Sequence, residues 1–194
     1  FLNKNPGATR VEIEAALYAG LPGLLTPPLA LTRAVLESYA VENEGRYSLR
    51  PEDTPSARRQ DLEEAGGMLV RLGERLGFTS RWQEGGPRLL VWEEKGRTAY
   101  AFYLIASAAA CRLVRGSEFP PENSLLVLPG GRAGLLASKL ERDPVLKQIW
   151  ERGWRLIKYR QLRKLDGMPD LDHKQWLALL TADPLVQPEQ MKMF

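Results

Sequence analysis

The chain has almost none of the residues that build cross-links and metal centres: its 194 residues include one cysteine, Cys111, and one histidine, His173. A lone cysteine excludes an internal disulfide, and one Cys with one His cannot supply the ligand set of a structural zinc site. A reducing cytoplasm is the expected setting. Cys111, next to Ala108, Ala109 and Ala110, is read as a small buried apolar residue, because a nucleophilic thiol needs a partner base and His173 is far away in sequence. No run approaches the ~18 apolar residues that cross a bilayer, so no membrane contact is expected. The opening Phe1-Leu2-Asn3-Lys4-Asn5-Pro6 has neither an initiator Met nor a signal peptide's apolar stretch, and the expectation is a chain that begins mid-protein.

With 44% hydrophobic and 26% charged residues, the composition is that of a folded protein. The net charge of +3 is uneven: residues 1–53 carry five basic groups against seven acidic ones, and the remainder 22 against 17. Any nucleic-acid contact is therefore expected in the back part.

Thr9 and Glu12 form a capping box, and Ile13, Ala16, Leu17 and Leu21 follow at helical spacing until Pro22-Gly23. A second helix is expected from Thr26, with Pro27 and Pro28 in its first turn, to about Val41. Glu44-Gly45 then turns into a short strand, Arg46 to Arg50. This succession resembles the second and third helices and first wing strand of a winged helix whose first helix precedes Phe1. Residues 1–53 are assigned to that unit. Arg33 and Glu37, in place of a basic row, favour protein packing over base reading for it.

The second domain is placed at residues 54–194. Thr54-Pro55 opens a long helix whose Leu62, Ala65, Leu69, Leu72 and Leu76 form a core face, ended by Gly77; Gly66-Gly67 inside it call for a close approach by another element. Strands are expected at Thr79 to Gln83, Arg88 to Trp92 and Thr98 to Ile105, then a helix over Ala106 to Val114 and a buried strand Ser124 to Leu128. Helices carrying Leu135, Leu136 and Leu140 and then Val145, Ile149 and Trp150 follow. A strand Trp154 to Tyr159, a helical turn from Arg160 and a last helix capped by Asp172 and Gln175 complete the pattern.

That order resembles the restriction-endonuclease-like fold, an α/β (α+β) mixed sheet flanked by helices. The resemblance implies a metal-binding Asp at the start of the second strand and a Glu-x-Lys on the third. Here Arg88 follows Pro87, and the third strand ends Tyr103-Leu104-Ile105, so the copy is expected to be degenerate. The literal Glu93-Glu94-Lys95, with Glu84 upstream, keeps a metal-dependent nuclease as an alternative, although it reads as a hairpin tip.

Pro129-Gly130-Gly131-Arg132-Ala133-Gly134 joins a strand to a helix and reads as a tight turn; were phosphate to bind there, Arg132 would reach it first. Residues 151–165 concentrate Arg152, Arg155, Lys158, Arg160, Arg163 and Lys164 around Trp154 and Tyr159 against a single acid, Glu151. Two readings stay open for this segment, a solvated rim and nucleic-acid backbone contact. The candidate nucleic-acid-binding residues are Arg132, Arg155, Lys158, Arg160, Arg163 and Lys164. No catalytic residue, metal or other cofactor is assigned.

Leu49-Arg50-Pro51-Glu52-Asp53, Leu128-Pro129-Gly130-Gly131-Arg132-Ala133 and Ile157-Lys158-Tyr159-Arg160-Gln161-Leu162-Arg163 together resemble the C-terminal region of bacterial DNA-modification (methylase-type) proteins. The resemblance implies a non-catalytic, DNA-associated accessory module that positions a larger protein on nucleic acid or on a partner subunit. It does not imply the methyltransferase itself: the Asp-Pro pairs Asp143-Pro144 and Asp183-Pro184 each continue into an aliphatic residue, unlike the methylase motif. A pure protein-interaction module is the third reading.

Overall fold

The computed structural model describes residues 1–23 and 26–181; Asp183-Pro184 and the end of the second domain lie outside them. The chain divides into two compact units, Phe1–Gln60 and Asp61–Phe194, and the division falls inside the long helix α3 (Pro55–Arg75), past the junction read from the sequence.

In the first unit, the Thr9 hydroxyl accepts from the Glu12 N–H at 3.4 Å, and Glu12 Oε2 accepts from the Thr9 N–H at 2.7 Å, so α1 (Arg10–Gly20) starts at the expected capping box. Donation from the Thr9 backbone and side chain lowers the Glu12 carboxyl pKa below its usual value. After α2 (Leu29–Tyr39) a hairpin of β2 (Ala40–Asn43) and β3 (Arg46–Leu49) turns at Glu44-Gly45, both with positive φ, 51° and 75°. Two such residues in a row make the turn whose twist suits a two-residue hairpin. β1 (Ala8–Thr9) pairs antiparallel with β3, giving a three-stranded sheet in the order β1-β3-β2.

Two local expectations fail for clear reasons. Thr26 does not cap α2: its hydroxyl donates to the Leu21 carbonyl at 2.6 Å, and Pro28 takes the cap position. Val41 does not continue the helix but joins β2, where a β-branched side chain is well accommodated.

The second unit is a five-stranded mixed sheet between two layers of helices. Its strands are β4 (Thr79–Gln83), β5 (Leu89–Glu94), β6 (Arg97–Leu104), β7 (Ser124–Leu128) and β8 (Arg155–Lys158), in the order β4-β5-β6-β7-β8. The first three form an antiparallel meander, and β6, β7 and β8 run parallel. β7 is buried at every position, as a strand with helices on both faces must be.

On one face, Leu69 and Leu72 of α3 pack on Leu90, Trp92 and Phe102 with α7 (Tyr159–Asp166) and α8 (His173–Thr181). Asp172 and Gln175 form the expected reciprocal cap on α8, at 2.9 and 2.7 Å. On the other face Val91, Tyr103, Leu126 and Leu156 meet α4 (Cys111–Arg115), α5 (Ala133–Arg142) and α6 (Pro144–Trp150). The helix expected over Ala106 to Val114 is confined to α4, and Cys111 is half-buried rather than buried.

Candidate nucleic-acid interface

The parallel half of the sheet sends β6, β7 and β8 to a common C-terminal edge, the side on which open α/β sheets usually hold ligands. Leu128 ends β7 opposite Lys158, which ends β8, so the Gly130–Arg132 turn and the start of α7 lie side by side. A Cβ placed on Gly130 would lie 3.8 Å from Lys158 Cδ and 3.9 Å from Arg160 Cδ and Nε. These are ordinary contact distances, and they place both basic side chains against the turn. The Lys158 N–H donates to Gln161 Oε1 at 2.8 Å, which fixes the entry into α7.

Three of the six candidate residues, Arg132, Lys158 and Arg160, therefore belong to one corner, two as its floor and one as its surface. Arg132 is 3% exposed and Lys158 6%, whereas Arg160 is exposed. Arg132 was expected to reach a phosphate first, but the short turn folds it inward ahead of α5, and Arg160 holds the outer position. Lys164, one turn further along α7, is exposed as well.

Arg155 and Arg163 are held elsewhere. Arg155, at the start of β8, donates to the Glu122 carbonyl and lies over the Tyr100 ring, 5.8 Å from its centroid. Arg163 grips two acids of α3: its Nη2 donates to Glu64 Oε2 and Asp61 Oδ1, both at 3.0 Å, and its Nε to Glu64 Oε1 at 3.2 Å. The Arg163 guanidinium lowers the Glu64 carboxyl pKa below its usual value. These carboxylates, 99 and 102 positions away in sequence, were missed as partners, and no local signal could have revealed them.

Beside this pair the Tyr159 hydroxyl donates to the Ile105 carbonyl at 2.9 Å. Burial, with Asp61 nearby, pushes its pKa well above that of a free phenol, so the group stays a neutral donor. It ties the start of α7 to the end of β6.

At the positions that hold metal in the resembled fold, Arg88 stacks over Trp82, 5.3 Å from its centroid, and Tyr103 bonds Ser117 Oγ at 2.7 Å. Burial raises the Tyr103 pKa. Glu93 of the literal Glu-x-Lys is taken by Arg81, with Nη2 to Oε1 at 2.9 Å, and Lys95 sits with positive φ at the tip of the β5–β6 hairpin. Among the described residues no three His, Cys, Asp or Glu side chains are grouped to hold a metal ion. Nor is any helix among them long and apolar enough to cross a membrane.

In the first unit the hollow between α2 and the β2–β3 hairpin is lined by Arg10, Arg33 and Arg50 together with Glu37 and Glu42. Arg33 pairs with Glu37 at 2.8 Å and Arg10 with Glu14 at 2.7 Å, so these cations are matched locally. No protein-family model, no curated protein and no solved structure matches this chain.

Proposed function

We propose that the second unit is a non-catalytic, DNA-associated module that holds a larger DNA-modification protein on nucleic acid, touching backbone phosphate at the corner where Gly130 meets Lys158 and Arg160. The observation that carries this reading is that corner: a glycine turn, the start of α7 and three basic residues gathered at the C-terminal edge of a parallel sheet. The basic and aromatic residues at the expected metal positions, Arg88 and Tyr103, support a role without phosphodiester cleavage. A cytoplasmic setting goes with this reading.

The outer residues Arg160 and Lys164 make the first contact, above the buried Lys158 and Arg132. Arg163 contributes little, since Asp61 and Glu64 already neutralise it. Double substitution of Arg160→Gln and Lys164→Gln should weaken duplex binding at low salt far more than Arg33→Gln with Arg46→Gln, which removes the same charge from the first unit. Equal weakening would leave only a net-charge effect and remove the site from consideration. The matched ion pairs on α1 and α2 favour a separate protein-packing role for the first unit.

A further inference from the structure

Arg88 lies outside the corner of Gly130, Lys158 and Arg160, yet it stands on the same edge of the sheet. It leads into β5 from the side where β6, β7 and β8 end, and its carbonyl accepts from the Leu104 N–H at 2.9 Å. Leu104 pairs with Val127 and Val127 with Ile157, so Arg88 shares one row across the sheet with the residue that precedes Lys158. Burial raises the Tyr159 pKa, with Asp61 adding to the rise, and the charges of Arg88 and Arg163 oppose it. The Arg88 guanidinium is therefore felt at the residue next to Arg160.

Its charge is unmatched. Arg88 is exposed, and among the described residues its guanidinium makes no ion pair and no hydrogen bond. By contrast Arg81 of β4, Arg71 of α3 and Arg163 of α7 are each held by a carboxylate. What orients Arg88 is the Trp82 ring, 5.3 Å from guanidinium to centroid, beside the bare Cα of Gly66 on α3. A Cβ on Gly66 would meet Trp82 Cη2 at 2.8 Å and lie 3.6 Å from Arg88 Nη2. A guanidinium stacked on an aromatic face keeps its N–H donors in the plane of the fork, where they suit a phosphate oxygen.

Arg88 leans over Trp82 of β4, and Arg160 lies against the turn that follows β7. Three strand intervals separate β4 from β7, ~14 Å, too wide a span for one phosphate. We infer that Arg88 is a separate phosphate contact of the same interface, so that nucleic acid crosses the C-terminal edge of the sheet from α7 to the β4–β5 turn. The inference rests on the nucleic-acid reading of the Arg160 corner and extends it to a second anchor.

The test uses the full chain and a fluorescein-labelled duplex DNA, with the slope of log affinity against log salt as readout. Arg88→Gln should make the slope shallower by about 0.9, and Arg88→Gln with Arg160→Gln by about 1.8, one phosphate for each. Arg88→Lys should keep the parent slope, because an ammonium still neutralises a phosphate, a result that loss of the charge or of the fold would not give. Arg97→Gln removes the same charge from an exposed residue at the opposite end of β6 and should leave the slope unchanged. A parent slope retained by Arg88→Gln while Arg160→Gln lowers it would overturn this inference and leave the corner standing. A double variant no shallower than Arg160→Gln alone would overturn it too, as one shared phosphate. So would a slope lowered equally by Arg97→Gln, as a net-charge effect, or by Arg88→Lys, as a change in structure around Trp82. No binding by the parent at low salt would remove both this inference and the reading beneath it.

Discussion

Gly66 and Gly73 are where the sheet comes closest to α3. A Cβ on Gly73 would stand 2.7 Å from Trp92 Nε1 and 2.8 Å from Ser80 Oγ, and Trp92 is fully buried and donates to the Leu69 carbonyl at 3.1 Å, so it cannot retreat. On Gly66 it would meet Trp82 Cη2 at 2.8 Å, but Trp82 is 40% exposed and free to swing outward. On Gly67 the nearest atom is Arg71 Nη1 at 3.5 Å, an ordinary contact. Gly73→Ala should therefore destabilise by ~1–3 kcal/mol through overpacking, Gly66→Ala should cost less, and Gly67→Ala should stabilise by up to ~1 kcal/mol through helix propensity. Denaturant melts of the three variants check the order, and a Gly67→Ala variant less stable than Gly73→Ala would contradict it. The sequence announced a close approach at the Gly66-Gly67 pair, which is true of one member; the tighter site, an isolated Gly73, carried no such mark.

At the level of elements, periodicity disclosed most of the helices and the five strands of the large sheet because the second unit buries long apolar faces. It failed where a short element owes its existence to a distant partner. β1 is two residues paired with β3, and the alanines before α4 are held outside any helix, with Lys139 Nζ donating to the Ala108 carbonyl at 2.7 Å. The basic segment shows the same limit. Its charge was legible, but α7 turns Arg163 toward Asp61 and Glu64 of α3 and leaves Arg160 on the surface. A carboxyl whose folded pKa is lowered stabilises the fold above its unfolded pKa, and the gain is lost as pH falls through the folded value. Glu64 is such a group, so the stability difference between the parent and Arg163→Gln should be present at pH 6 and shrink below the ordinary carboxyl value of 4.5. Both partners are nearly half exposed, 46% and 47%, and the difference should be small, ~0.5–1 kcal/mol. Thermal melts between pH 6 and pH 3 check this; a gap unchanged to pH 3 would show that Arg163 acts through packing alone.

For the whole molecule, the order of elements was enough to read a mixed sheet between helices, since strand succession and turn chemistry restrict the ways such a chain can fold. The grouping of Arg132, Lys158 and Arg160 was not readable, because it depends on β7 and β8 being adjacent and parallel. From that grouping comes the division of labour within one helix: Arg160 faces solvent beside the glycine turn, and Arg163 is spent on α3. The slope of log affinity against log salt for duplex DNA tests this division most directly, because each phosphate contact contributes about 0.9 to it. It is measured for the parent, Arg160→Gln and Arg163→Gln. The expected result is a slope shallower by about 0.9 for Arg160→Gln and unchanged for Arg163→Gln. A slope lowered as much by Arg163→Gln, or no measurable binding by the parent at low salt, would contradict it.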